Sequence, residues 1–464
     1  MTEMLNDGPD LIVAGAGGGL VAALRGAQLG LSVLVLESNT HFRRGNNTAM
    51  STAMIPGAGS RWQKAAGVND SPEAFLEDIM AKSHGEAEPV LARALAQVSP
   101  VLVEWLADDL GIPLSLVTDF SYPGHSAMRC HTVPGRIGTV LLDALLDRVR
   151  KSELIDLYLP ARLVDVTVSS TGVNSAIVET PTGLEEIPTR AVLLASNGFG
   201  ANKDLVRQHL PEISGATYHG SEESKGDALR IGKKLGAKTA FMDAYQGHAA
   251  LAMPSATLAG WATVMHGGFL VNNAGLRYGD ETMGYSEYAR ESLLHAADGA
   301  WIILDQRIHD ACLSFQDFTD TAESGGVKWG DGVDSLARAT GIDPEGLAST
   351  LSTVRALASG DGTDTFGRTF WEAPLSGPLG AVAVRPALFH TQGGLYVDAS
   401  ARVINGAGVA IDGLYASGGA AMGISGHGAG GYLAGNGLLP ALGLSFLAAE
   451  HAASNLLGST TVNP

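Results

Sequence analysis

The sequence predicts an α/β protein whose two ends build one nucleotide-binding domain, with a second domain inserted between them. Three observations carry that expectation. A strand, a glycine turn, a helix and a second strand open the chain. A buried strand and a long apolar helix close it, and a helix-rich middle separates the two. Apolar runs that alternate between strand and helix spacing are the signature of a parallel sheet covered by helices.

The first element is "DLIVAGAGGGLVAALRGAQLGLSVLVLES". Asp10 to Ala14 read as a strand, Gly15, Gly17, Gly18 and Gly19 as the turn, and "LVAALRGAQLG" as a helix ending at Gly30. "SVLVLE" is a second buried strand, closed by Glu37. Such glycines let backbone approach a pyrophosphate, the helix N-terminus faces its charge, and an acid at the strand end binds a ribose. Glu37 lies 22 residues after Gly15, close to the expected ~20. An acid here disfavours a 2′-phosphate, which leaves FAD or NAD; a βαβ unit without nucleotide is the bland alternative. Leu20 stands at the third fingerprint position, where glycine or alanine is usual. Its bulk predicts looser helix–strand packing and a slightly displaced turn.

Residues 70–112 and 137–151 read as helices, and 161–199 as a meander with STG and PTG turns returning to the buried strand "AVLLAS". "GDALRIGKKLGAK" is a helix, the middle is helix-rich, and the chain ends on "GLYASGG" and the helix "LLPALGLSFLAAEHAASNLL". The expected domains are 1–242 and 390–464 for the nucleotide and 243–389 for the insertion.

Glycine is in excess, at 60 of 464 residues against a usual ~7%, and it clusters between apolar runs. That placement fits backbone pressed close to a ligand. A net charge of −18 argues against nucleic acid, whose phosphates need a basic surface. Cys130 and Cys312 are too few for a disulfide framework, and no haem-attachment or zinc-type cysteine motif predicts a metal. The N-terminus "MTEMLNDGPD" is polar and acidic, unlike a signal peptide. No apolar run reaches the ~18 residues of a membrane span. The expectation is a cytoplasmic protein without a membrane span.

Five collinear segments resemble the flavoprotein family of fumarate reductase and succinate dehydrogenase, which also holds 3-ketosteroid dehydrogenase-like and tricarballylate dehydrogenase-like members. "RRGNNTAMSTAMIPGAG" resembles its GGNT/S segment, "LLASNGFGAN" its ATGGF segment, and "GDALRIGKKLGAK" its GDG helix. "HTQGGLYVDASARV" resembles its HTxGG strand, and "IDGLYASGGAAMG" its GLYaAGE segment, with Gly419 where glutamate often stands. The resemblance implies noncovalent FAD in a Rossmann-like FAD-binding domain, and an inserted α+β capping domain closing over the flavin. It assigns Asn46, Asn47, Thr48, Ser51, Asn197, Gly198, Gly418, Gly419, Asn436 and Leu438 to the cofactor, beside the glycine turn and Glu37.

Catalytic positions follow by the same resemblance. His248 in "AYQGHAA" and His390 in "HTQGG" match substrate-binding histidines. Counting from Arg277 through "LRYGDETMGYSEY" puts Tyr285 where fumarate-reducing members have a proton-delivering arginine, with Tyr278 and Tyr288 as alternatives. Aligning "GYLAGN" puts Tyr432 where they have a second, carboxylate-clamping arginine. A phenol cannot clamp a carboxylate as a guanidinium does. It can take a C–H proton once deprotonated, or bond a ketone oxygen. The segment resembles the GYxSG loop of ketosteroid dehydrogenases, where a tyrosine abstracts a proton, and equally the GYCAG loop of tricarballylate dehydrogenase-type flavoproteins, with Ala434 where the steroid enzymes have serine. The resemblance implies that Tyr432 is either the α-proton base or a donor to the carbonyl. The leading expectation is an FAD-dependent oxidoreductase acting on CH–CH bonds of a small-molecule substrate, with an electron acceptor of unspecified kind. It would desaturate α,β to the carbonyl of a cyclic ketone, a ketosteroid-like compound or a carboxylate, by α-proton abstraction and β-hydride transfer to flavin N5. The alternatives are an enoate or enone reductase and a non-catalytic flavin-bound redox sensor. His427, Arg385 and His131 are further polar residues near these motifs; a covalent flavin link through His131 is not expected.

Overall fold

The computed structural model describes residues 8–119 and 121–458. The first seven residues, which carry most of the expectation about a signal peptide, lie outside the described residues. The described chain divides into two compact units. One comprises residues up to Leu210, Gly220–Tyr245 and the chain from His390 on; the other comprises Pro211–His219 and Gln246–Phe389.

In the first unit, six strands lie in the order Arg402–Ile404, Ala410–Ala416, Ala191–Leu194, Leu11–Ala14, Val33–Leu36, Ile155–Tyr158. All neighbours are parallel except the antiparallel edge pair Arg402–Ile404 with Ala410–Ala416. Strands Leu11–Ala14 and Ala191–Leu194 are buried at every position, as central parallel strands covered on both faces must be. Helix Gly19–Gln28 packs against the closing helix Leu438–Gly458, so the two ends of the chain share one core. The antiparallel meander runs Arg162–Ser169, Gly172–Thr180, Gly183–Pro188.

Leu20 does not loosen the turn. The close helix–strand approach is made one residue earlier: a Cβ added at Gly19 would lie 2.6 Å from Val13 Cγ1. Leu20 points into the core and is fully buried. Helix Pro89–Asp108 is long and apolar enough to cross a membrane, which the sequence reading did not anticipate. Its Leu91, Leu95, Leu102 and Leu106 face are buried, and it packs on helices Pro72–Lys82 and Leu438–Gly458. That is the pattern of a core helix, apolar along one stripe.

The second unit is less helical than its sequence reads. It contains a sheet in which the long strand Leu379–Thr391 pairs with Thr217–Tyr218, Ala300–Asp305, Tyr245–Ala252 and Val327–Gly330, and Phe269–Asn272 joins at the edge. "YQGHAALA" reads as a short polar break but is a strand buried at all eight positions. Its small residues fill a two-sided interior, so the polar–apolar alternation that marks a half-exposed strand is missing. A buried charge cluster ties down the stretch before Tyr285. Arg277 donates to Glu281 and Asp364, Arg368 donates to Glu281, and Glu281 also accepts the Leu270 N–H. Every charge in that cluster has an opposite partner, the condition for burying it.

Candidate functional site

The glycine turn creates the first element of the site. Gly15 adopts φ +125°, and a Cβ there would meet the Ala195 carbonyl oxygen at 2.4 Å, so only glycine fits. A Cβ on Gly17 would come within 3.1 Å of Thr48 Oγ1. The Asn46 amide spans this turn, donating to the Ala16 carbonyl at 3.3 Å and accepting the Ala49 N–H at 2.8 Å. Ser51 closes the same segment through its hydroxyl to the Thr48 carbonyl, and Asn47 accepts the Ser221 N–H. Glu37, at the end of the second strand, is buried and accepts the Ala16 and Asn39 N–H groups at 3.0 and 2.8 Å. Burial raises its pKa, and those backbone N–H groups pull the other way.

Asn197 adopts a left-handed φ of 66°, accepts the Gly198 N–H and donates to Ser224. Gly419 lies against this pair: an added Cβ would be 2.4 Å from Asn197 Oδ1. The glutamate common in the resembling family has no room here. Gly418 packs on Ala441 of the closing helix, and Leu438 is its first residue. Asn436 Oδ1 is buried and has no hydrogen-bond partner. A buried acceptor left unpaired carries a desolvation penalty that a ligand donor would remove. The glycine turn, Glu37 and this orphaned oxygen fit a bound dinucleotide, and all the sequence-expected cofactor residues fall within the first unit.

His390 and Tyr432 also meet there, their ring centroids 5.9 Å apart and nearly edge-to-face. A Cβ on Gly437 would lie 2.8 Å from His390 Nε2 and 3.5 Å from Tyr432 Oη, so both polar atoms converge on that glycine. His390 is half-buried, and desolvation by the surrounding protein pushes its pKa down to about 4. The Gln392 amide contacts its Nδ1 at 3.2 Å. Gln392 was not singled out from sequence; a polar residue two places after the histidine, buried between apolar strands, was the available signal.

The second unit holds its own cluster. The His248 ring is stacked between Tyr285, at 4.8 Å, and Phe389, at 5.2 Å. Trp261 stands edge-on to both His248 and Tyr285. His248 Nδ1 accepts the Ala250 N–H at 3.1 Å, which leaves the ring proton on Nε2. Burial, with a smaller contribution from His219, pushes its pKa down to about 3. Tyr278 and Tyr288 are buried, and desolvation raises both their pKa values. Tyr278 bonds Ser292, whereas Tyr285 is the half-buried phenol stacked on His248.

The remaining polar residues sit apart from these clusters. His427 is exposed and bonds Asp243 at 2.8 Å. Arg385 is exposed on its strand. His131 is buried against Ser60 Oγ at 2.8 Å, edge-on to Trp62.

Residues 10–438 match the family described as FAD binding domain. Over 455 residues the chain is 27% identical to the NADH:fumarate oxidoreductase of Klebsiella pneumoniae (strain 342). The match covers 97% of this chain and 48% of that one, so the chain spans about half the length of that relative. Among solved structures it resembles the open conformation of a flavocytochrome c3 fumarate reductase, with TM-score 0.81, 27% identity, and 97% and 78% of the two chains covered. It also resembles the 3-ketosteroid-Δ4-(5α)-dehydrogenase of Rhodococcus jostii RHA1, with TM-score 0.74, 25% identity, and 97% and 98% covered.

Proposed function

The chain belongs to the FAD binding domain family, and from that premise we propose that it is a dehydrogenase that desaturates a carbon–carbon bond next to an uncharged carbonyl. The observation that carries this reading is the chemistry of the rings set beside the two candidate histidines. Burial pushes the pKa values of His248 and His390 down to about 3 and about 4, and the rings recorded against them include two phenols, Tyr285 and Tyr432. In the second unit the buried Arg277 and Arg368 are bound to Glu281 and Asp364. Neutral N–H and O–H donors suit a ketone oxygen or its enolate, whereas a dicarboxylate calls for fixed positive charge.

Gly15, Gly17, Gly18 and Gly19 with Asn46 and Thr48 would hold the FAD pyrophosphate, Glu37 a ribose, and Asn436 Oδ1 a donor of the cofactor. When bound, the flavin supplies the acceptor for the β-hydrogen, as hydride at N5. Tyr432, once deprotonated, takes the α-proton, and His390 Nε2, which borders the same space over Gly437, steadies the developing negative charge. His248 offers its Nε2–H to an oxygen in the same manner.

A second reading runs the chemistry in reverse, as reduction of an activated alkene. It is favoured by the 27% identity to proteins named as fumarate reductases. One experiment separates the two. Anaerobic mixing with cyclic ketones should bleach the flavin absorbance, and fumarate should reoxidise the reduced protein only slowly. Rapid reoxidation by fumarate would overturn the preference for an uncharged carbonyl.

A further inference from the structure

We infer that Gln392 is a positioning residue: its amide fixes His390 as the tautomer protonated on Nε2, so that an N–H donor faces the space over Gly437 that the Tyr432 hydroxyl also borders. The inference rests, for its chemical purpose, on the reading of Tyr432 given above.

The argument is one of donor direction. Gln392 Nε2 lies 3.3 Å from the backbone carbonyl of Asn436 and 3.2 Å from His390 Nδ1. A carbonyl oxygen can only accept, so this end of the Gln392 side chain is its NH2 group. The opposite end agrees. Asn436 Nδ2 donates to Ser425 Oγ at 3.1 Å, and the Ser425 hydroxyl passes its own proton to Gln392 Oε1 at 3.1 Å. Gln392, Ser425 and Asn436 are all buried, so water does not compete for these bonds. Gly423 makes the space: a Cβ there would stand 2.5 Å from Gln392 Oε1.

With one amide proton on the Asn436 carbonyl, the other points at His390 Nδ1, which must accept it through its lone pair. The competing tautomer would place a proton on Nδ1 and donate to the Thr391 carbonyl at 3.3 Å. It would also set an N–H against the N–H of Gln392. The ring is therefore held with its proton on Nε2, the atom that converges with Tyr432 Oη on Gly437. Burial keeps that ring uncharged, so it donates without acting as a counter-ion. A donor in this place stabilises a phenolate on Tyr432 and then an enolate oxygen.

The test reads the proton directly. Protein carrying 15N-labelled histidine is loaded with FAD, and the His390 signals are assigned by their loss in His390→Asn. Long-range 1H–15N correlation at pH 7.5 should show a neutral ring protonated on Nε2. Gln392→Glu keeps the side-chain shape but replaces the donor with an acceptor, and it should move the proton to Nδ1. Gln392→Met, which offers no donor, should shift the population the same way. A wild-type ring protonated on Nδ1 overturns the inference, as does an Nε2 proton that persists in Gln392→Glu. Protein that takes up no FAD would count against the dehydrogenase reading alone, since the tautomer is read equally well without flavin.

Discussion

Desolvation lowers the pKa of both His390, half-buried in the first unit, and His248, buried in the second, yet different forces orient the two rings. His390 is oriented by a directed chain of side-chain hydrogen bonds, Asn436 to Ser425 to Gln392 to the ring. His248 is oriented by stacking between Tyr285 and Phe389, with one backbone N–H fixing its tautomer. Stacked rings tolerate sliding and small rotations, because the attraction varies gently with offset. Hydrogen-bond chains are sharper: reversing one member reverses the proton on the next. The difference places His390 in a network of side-chain donors and acceptors, and His248 among aromatic rings.

The largest expected effect tests the chemistry assigned to the first unit. Tyr432→Phe removes one hydroxyl from a packed loop, so FAD content should persist. The single-turnover rate of flavin reduction should fall ~10²–10⁴-fold, the usual worth of a general acid or base. A wild-type rate at full FAD occupancy would reduce Tyr432 to a side chain that fills space and erase the contrast between the units.

The next effect is one of stability in the second unit. Glu281→Leu strands Arg277 and Arg368 in the interior without their shared partner. Breaking a buried pair in this way costs about 3–5 kcal/mol. Hydrogen exchange should show earlier opening around Phe269–Asn272 and the helix Tyr285–His295, while the parallel sheet of the first unit keeps its protection. Equal loss of protection in both sheets would show that the two units do not open separately.

The smallest effect sharpens the statement that His248 is neutral. Burial pushes its pKa down to about 3, from the ordinary 6.5 of a histidine in water. The unfolded chain therefore binds more protons between those values, and stability is present above pH 6.5 and lost as pH falls towards 3. Replacing the ring by Phe keeps the stack and removes the titration. In His248→Phe the slope of unfolding free energy near pH 5 should fall by about 1.4 kcal/mol per pH unit. Urea titrations at three pH values between 4.5 and 5.5 would check it, and an unchanged slope would mean that His248 is charged or exposed in the folded state.

The sequence by itself determined the nucleotide-binding half, because its signals are local. A glycine turn between a four-residue strand and a helix, with Glu37 at the next strand end, contains its own reasons and needs no distant partner. Tyr432 was singled out on equally local grounds, the flanking glycines and Asn436 within a few residues. The strand Tyr245–Ala252 was not, because burial on both faces erases the alternation that a reader looks for. Nor was the chain through Gln392, whose partners lie 33 and 44 residues away along the sequence. Only tertiary structure decided that desolvation lowers the pKa of both histidines. A histidine's charge is set by the water removed from around it and the donors aimed at it, and both are supplied by segments that meet only when the chain has folded.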